Sequence, residues 1–181
     1  KTIKHLPILL LIASLSIASC TKEEDDIVVN NTTTTTLSQA EIDALKYMHE
    51  EEKLARDVYL FSLDLYGSQI FSNISASEQR HMDRISDLLV TYNIQDNSST
   101  ERGIFNNPEL QTLYNDLTLK SKSSYLDALM VGATIEDLDI ADLDKFSLGV
   151  DNADILLAFE NLTCGSRNHM RSYYTQLLNN G

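Results

Sequence analysis

Residues 49 to 59 read HEEEKLARDVY and place three consecutive glutamates in a segment whose apolar residues recur at helical spacing. On a helical projection, Glu52 falls on the apolar row that starts at Met48, and Glu51 falls on a neighbouring apolar row. Glu50 falls on a polar side that we expect to face water. That side also carries Lys46, Lys53 and Asp57. The pattern predicts a packed helix with an inward carboxylate, and Glu51 and Glu52 both compete for the inward position.

Capping signals mark both ends of this helix. Ser38-x-x-Glu41 is a capping box, in which each side chain binds a free backbone amide of the first turn. Gly67 follows Tyr66 and is typical of a helix end. We therefore expect a helix over 38–66.

Three further long segments and one short one have the same apolar spacing. The long ones are predicted over 68–93, 124–146 and 152–178, and the short one over 108–120, where Asn107 and Pro108 form a start signal. The first and last links are short, whereas the middle link is long. The sequence therefore predicts an all-α fold, an antiparallel four-helix bundle with a long crossover that carries a short helix.

Each of the later long helices also has ionisable residues on its apolar row. The second carries Glu78 and His81, one turn apart on one face. The third carries Glu136, with Asp139 one turn further on, and the fourth carries His169. These residue types at these positions are candidate metal ligands.

Two structural alternatives remain for these residues. Ser75-x-x-Glu78 is also a capping box, which would make Glu78 a helix-start residue. Against this, the apolar row extends upstream through Ile70, Phe71 and Ile74, so we expect the helix to start near Ser68. A lone His169 on an apolar row is more often a satisfied core residue than a ligand, and only the other three helices favour the ligand role.

Several buried carboxylates need compensation, because an unpaired charge inside a protein is costly. No Lys or Arg lies on these apolar rows. A multivalent cation at the centre of the bundle would supply the missing charge. Mixed carboxylate and imidazole ligation suits iron or manganese, with zinc as an alternative.

Two short motifs resemble those of rubrerythrin-like and ferritin-like proteins. Glu52-x-x-Ala55-Arg56-x-x-Tyr59 is similar to their first-helix motif, and Glu78-x-x-His81 is similar to their second. The resemblance implies that Glu52, and not Glu51, is a ligand, and that Glu136 is the third-helix carboxylate. It places Tyr59 beside the metal as a redox-capable or hydrogen-bonding catalytic residue.

The fourth helix departs from this family pattern. The expected Glu-x-x-His is replaced by Ser166-Arg167-Asn168-His169, so the carboxylate that would bridge two metals is absent. Asp139 is a reserve ligand that could compensate for it. A di-iron centre and a mononuclear iron centre therefore both remain possible interpretations of the sequence.

A longer set of strings resembles the ferritin-like domain of unknown function family 2202 over about residues 38 to 178. The strings are MHEEEKLARDVY, ASEQRHM, VGATIEDLDIADL and GSRNHMRSYY. This resemblance implies the ferritin-like fold and no particular substrate.

The overall charge argues against nucleic acid as a partner. The chain has 27 acidic and 14 basic residues, for a formal net charge of −13. A surface of this sign repels phosphate backbones and is compatible with metal ions as partners. A homo-oligomer is also compatible with the sequence.

The amino-terminal part has the composition of an export segment. Residues 1–20 combine a basic start with an apolar run shorter than a membrane span, as in a signal peptide. The run ends in IASC, which resembles a lipobox with Cys20 as the lipidated residue; an ordinary signal peptide with a chance cysteine is the alternative. We expect residues 21–37 to be a flexible tether and 38–181 to be the folded domain.

The acidic run KEEDD, residues 22–26, resembles the export tag of surface lipoproteins in some Gram-negative bacteria. A solvated spacer is an equally good interpretation. With lipid on Cys20, the expected location is the outer membrane or cell surface, where acyl chains would anchor the exported protein.

Three functions follow from these features. The first is a metal-dependent oxidoreductase whose iron reacts with oxygen or peroxide. The second is metal binding without turnover by an anchored iron-handling protein. The third is a metal-free helical bundle that acts as an anchored interaction module.

Overall fold

The structure, a computed structural model, describes residues 36–181. This part of the chain contains five α-helices and no strand, so the predicted all-α class is confirmed. The helices are α1 (Gln39–Tyr66), α2 (Gln69–Thr91), α3 (Pro108–Ser121), α4 (Tyr125–Ser147) and α5 (Ala153–Asn180). Within the same residues, none of the helices is long and apolar enough to cross a membrane. The predicted signal peptide, Cys20 and nearly all of the predicted tether lie outside the described residues; Leu37, at the end of that tether, is half-buried against the core.

Local signals set the ends of these helices. Ser38 and Glu41 form the expected capping box at the start of α1. Gly67 ends α1 with φ of 61°, a left-handed conformation that glycine adopts without steric cost. Asn107 caps α3 by accepting backbone N–H bonds, and Pro108 fills the first helical position.

The four long helices form a bundle in which neighbouring helices are antiparallel. Short links join α1 to α2 and α4 to α5 as two hairpins. Along α1, Tyr47 lies against Asp142 and Tyr59 lies against Gly132, so α1 and α4 run in opposite directions. The directions of α2 and α4 are consequently the same. The chain must therefore return along the bundle between them, which is why the link is long and carries α3.

The core consists of two apolar clusters separated by a polar layer. In each long helix the predicted ligands lie between the positions that build the two clusters. On α1, for example, cluster residues precede and follow Glu51 and Glu52. One cluster includes Tyr59, Phe71, Leu129 and Tyr173. The other includes Leu45, Ile85, Leu143 and Phe159. The polar layer is thus closed off by packed apolar residues at both ends.

The side of α1 that we expected to face water is covered by the crossover. Glu50 is only 8% exposed, and Lys53 and Asp57 are almost completely buried, so the prediction of a solvated Glu50 was wrong. The Glu50 carboxylate accepts the backbone N–H groups of Asn106 and Asn107 at 2.8 and 3.0 Å. It therefore holds the backbone just before α3 against α1 through two charge-assisted hydrogen bonds.

Lys53 and Asp57 join the same crossover to α1. The Lys53 ammonium donates to Asp57 at 2.7 Å and to the carbonyl oxygens of Glu101 and Ile104 at 2.8 and 3.1 Å. It also lies 4.2 Å from the centroid of the Phe105 ring. The crossover loop thus places carbonyl oxygens and an aromatic ring against α1. The polar side chains of α1 stabilise the loop in this position by binding those groups.

Candidate metal centre

Five predicted ligands come together from four helices in the polar layer. Glu52 lies on α1, Glu78 and His81 on α2, Glu136 on α4 and His169 on α5. All are buried except His81, whose side chain is 13% exposed. Their donor atoms form two groups, within each of which they lie within 4.8 Å of one another, and Glu78 belongs to both. The arrangement is therefore two adjacent trios and not one point.

The first trio joins α1 to α2. The Nδ1 atom of His81 lies 3.1 Å from Oε2 of Glu52 and 2.9 Å from Oε2 of Glu78. Glu78 and His81 are one turn apart, so one face of α2 presents both to the same carboxylate of α1. Glu78 lies well inside α2, which starts at Gln69, so it is not a helix-start residue.

The second trio joins α2 to α4 and α5. The Nδ1 atom of His169 lies 2.8 Å from Oε1 of Glu78 and 3.3 Å from Oε2 of Glu136. The two oxygens of Glu78 thus face different imidazoles, one in each trio. This is the geometry that a carboxylate shared between two cations requires.

Close packing fixes the imidazole of His81. A Cβ atom at Gly165 would lie 2.6 Å from its Nε2 atom, so only glycine at this position leaves room for the ring. The rings of His81 and His169 stack with centroids 5.5 Å apart. Their side chains are 13% and 11% exposed, so the imidazoles form the solvent-facing edge of the centre.

The carboxylates and imidazoles of the centre shift one another's pKa values. Burial raises the pKa of Glu52 to about 7 and that of Glu136 to about 8. Burial also disfavours ionised Glu78, but its contacts with both imidazoles override this effect and lower its pKa to about 2. Burial would lower the pKa of each histidine, yet the carboxylates raise that of His81 to about 11 and that of His169 to about 10. Protonated imidazoles consequently balance the carboxylates when no metal is bound.

Several buried donor atoms in the centre have no hydrogen-bond partner. They are Oε1 of Glu52, Oε1 of Glu78 and Nδ1 of His169. The Glu78 and His169 atoms form an ion pair at 2.8 Å without the alignment of a hydrogen bond. Buried polar atoms are rarely left in this state without a functional reason. The oxygen and nitrogen donors fit a cation of the iron, manganese or zinc type.

The family model described as an uncharacterized protein domain (DUF2202) matches residues 41–181, which include every residue of both trios. The chain belongs to the DUF2202 family. It is also 51% identical over 146 residues to the uncharacterized protein MJ0754 of Methanocaldococcus jannaschii, which covers 80% of this chain and 79% of that protein. The crystal structure of hypothetical protein MJ0754 superposes with a TM-score of 0.78 over 79% of this chain and 82% of the other. The family expected from the sequence is therefore confirmed.

Tyr59 of this DUF2202 chain contacts the centre through one ligand candidate. Its hydroxyl donates to Oε1 of Glu136 at 2.6 Å, and the carbonyl oxygen of Gly132 lies 3.3 Å away. Its ring is fully buried, and burial followed by the charge of Glu136 raises the pKa of its phenol. Tyr59 thus orients Glu136, and the catalytic role predicted for it stays a prediction.

Asp139, the predicted reserve ligand, belongs to neither trio. The hydroxyl of Ser166 donates to its Oδ2 atom, and Ser166 also donates to the carbonyl oxygen of Leu162 at 3.0 Å. The other carboxylate oxygen, Oδ1, is buried without a hydrogen-bond partner. The serine that replaces the expected fourth-helix glutamate therefore binds a carboxylate from the neighbouring helix.

Glu51 is buried as deeply as its neighbour but takes no part in the trios. It is 4% exposed, and its Oε2 atom has no hydrogen-bond partner. Burial, followed by the negative charges of Asp139 and Asp142, raises its pKa well above the ordinary value. The choice of Glu52 for the trio agrees with the family motif, whereas apolar periodicity alone could not separate the two glutamates.

Proposed function

We propose that this protein binds metal in the polar layer of its bundle, and that the metal is iron, with manganese or zinc as alternatives. The observation that carries the proposal is the pair of donor trios with unpartnered buried atoms. Carboxylate oxygens and imidazole nitrogens prefer these borderline and hard cations. The ferritin-like resemblance of the two helix motifs supports the same donor residues.

The trios favour two cation positions over one. Glu52 and His81 would hold the first cation, and Glu136 and His169 would hold the second. Glu78 would serve both, because one of its oxygens faces each imidazole. Because α5 has no glutamate at position 166, Glu78 is the one carboxylate that both cations would share. Asp139, which binds Ser166, is the nearby carboxylate that could serve as a further ligand.

The same arrangement supports oxidase-type or peroxidase-type activity. A bound iron ion would supply one-electron chemistry toward oxygen or peroxide. The imidazole edge faces solvent, and the two apolar clusters exclude water from the ends of the polar layer. Tyr59 holds Glu136 in place through its hydroxyl.

Elemental analysis and Fe(II) oxidation test this proposal together. The 181-residue chain should bind iron and oxidise Fe(II) or consume peroxide faster than free iron does. Glu78→Ala and His81→Ala should abolish both metal uptake and this rate, because each removes a donor. Asp137→Asn is the matched control, since Asp137 is an exposed carboxylate on α4.

The outcomes separate the candidate functions. Tight binding without turnover would leave a metal-binding protein that is not an oxidoreductase. A chain that binds no metal and is equally stable with and without chelator would contradict the metal centre, and would leave an anchored interaction module as the function.

We also propose that the protein is exported and anchored to the outer membrane or cell surface through lipid on Cys20. The apolar run that ends in IASC supports this proposal. Several acyl chains on one residue bind a membrane stably, whereas one chain alone binds only reversibly.

A further inference from the structure

A row of carboxylates runs along α4 from the candidate metal centre to the protein surface. Glu136, Asp139 and Asp142 recur every third residue, which advances about 4.5 Å along the helix at each step. Glu136 and Asp139 are buried, whereas the side chain of Asp142 is 23% exposed. The row thus connects solvent with the polar layer.

Glu51 of α1 lies beside the same row. The hydroxyl of Tyr47, one turn before Glu51, donates to Oδ2 of Asp142 at 3.4 Å and brings this part of α1 against the outer end of the row. Glu51 follows Tyr47 by one turn and directly precedes Glu52, so its position on α1 lies between the outer end of the row and the centre.

The inner members of this group have no compensating charge. Oε2 of Glu51 and Oδ1 of Asp139 are buried without hydrogen-bond partners. Among the ion pairs of residues 36–181, Glu51 and Asp139 take part in none, and Asp142 pairs only with the exposed Lys145, at 3.3 Å. Two buried carboxylates beside an already acidic centre are costly when ionised, and a nearby cation would lower that cost.

We propose that Asp142, Glu51 and Asp139 form an uptake route that passes a divalent cation from solvent to the Glu52 and His81 trio. The proposal rests on the metal-binding function proposed above. In the described part of the chain, the three carboxylates do not form a third compact donor group, which favours passage over permanent occupancy. Carboxylate oxygens at successive positions would replace water ligands of the ion one or two at a time.

Stopped-flow uptake of Co(II) by the full 181-residue chain tests the route, because the visible absorption of Co(II) reports its coordination. The variants are Glu51→Gln and Asp142→Asn, which keep side-chain shape and remove charge. Asp137→Asn removes the same charge from an exposed position of α4, one residue outside the row. Each variant is also equilibrated with Co(II), and bound cobalt per chain is measured by elemental analysis.

We expect Glu51→Gln and Asp142→Asn to slow Co(II) uptake about tenfold, since local carboxylate fields raise cation on-rates by this order. The final amount of bound cobalt should equal that of the wild type, and Asp137→Asn should change neither quantity. Wild-type uptake rates in both route variants would overturn the proposal. A lower cobalt content in Glu51→Gln would also overturn it, because Glu51 would then be a permanent ligand. A wild-type chain that binds no Co(II) would overturn the proposed function itself, and the route with it.

Discussion

Gly165→Ala tests whether the close approach of α5 to His81 fixes the imidazole as a donor. An alanine Cβ would lie 2.6 Å from Nε2 and 2.7 Å from Cε1 of His81, whereas ordinary contacts begin near 3.4 Å. The ring must therefore retreat by about 0.8 Å, the difference between 3.4 and 2.6 Å. Metal–ligand distances tolerate only about 0.2 Å. We expect metal affinity to fall about 10- to 100-fold, which is about 1.4–2.7 kcal/mol.

The effect of the same substitution on folding separates packing from helix propensity. Alanine in a helix interior stabilises by about 1 kcal/mol relative to glycine. The forced contact with His81 costs about 1–3 kcal/mol, so the metal-free chain should gain nothing or lose up to about 2 kcal/mol. In a His81→Ala background no ring meets the new methyl group, and Gly165→Ala should stabilise the chain by about 1 kcal/mol.

Urea unfolding with chelator present, monitored by circular dichroism, measures the free-energy change in both backgrounds. Metal titration of the wild type and of Gly165→Ala measures the change in affinity. The difference between backgrounds is the coupling between residues 165 and 81. An equal stability change in both backgrounds, or wild-type metal affinity in Gly165→Ala, would show that residue 165 does not fix the His81 ring.

Four further outcomes are expected. Tyr59→Phe should weaken metal binding about 10- to 100-fold, because Glu136 loses the hydroxyl that orients it, and isothermal titration measures this change. The lost hydrogen bond should also lower the free energy of unfolding by about 1 kcal/mol, which urea unfolding measures. Lys53→Met should cost about 1–3 kcal/mol in urea unfolding, because buried Asp57 loses its ammonium partner and keeps only Arg56 and the Gly103 amide. Metal loading at pH 7 should release at least two protons per chain into a weak buffer, since both site imidazoles have pKa values raised far above 7 and must lose their protons to bind metal. For the same reason metal affinity should rise with pH up to those pKa values, and constant affinity between pH 5 and 8 would contradict this assignment. Cys20→Ser should move the exported protein from the membrane to a soluble fraction, and unchanged membrane association would contradict lipid anchoring.

The helices could be predicted from sequence because their ends depend on local chemistry. The capping box at Ser38, the left-handed glycine at 67 and the proline at 108 act within one turn of the chain. The direction of the bundle followed from link lengths, since two short links require hairpins. Each of these inferences needs only neighbouring residues or the spacing between them.

The environment of Glu50, Lys53 and Asp57 could not be predicted in this way. A polar helix side predicts contact with water, yet the same side chains can also bind the backbone amides and carbonyls of a loop that covers them. The partners of these side chains lie in residues 101–107, about fifty positions further along the chain. No periodicity within α1 indicates that distant contact.

The site itself could be predicted in part. Apolar rows identified Glu78, Glu136 and His169, because an ionisable residue on a buried row is unexpected. Periodicity left Glu51 and Glu52 equivalent, and only the helix motif separated them. The pairing of Ser166 with Asp139 depends on the register between α4 and α5, which sequence spacing does not determine.

Anomalous diffraction from crystals of the iron-loaded chain tests the proposed two-cation centre, because it locates each metal ion relative to its ligands. We predict two iron peaks in the polar layer, one beside Glu52 and His81 and one beside Glu136 and His169, with Glu78 between them. No peak among these residues, or iron bound only at the surface, would contradict the account.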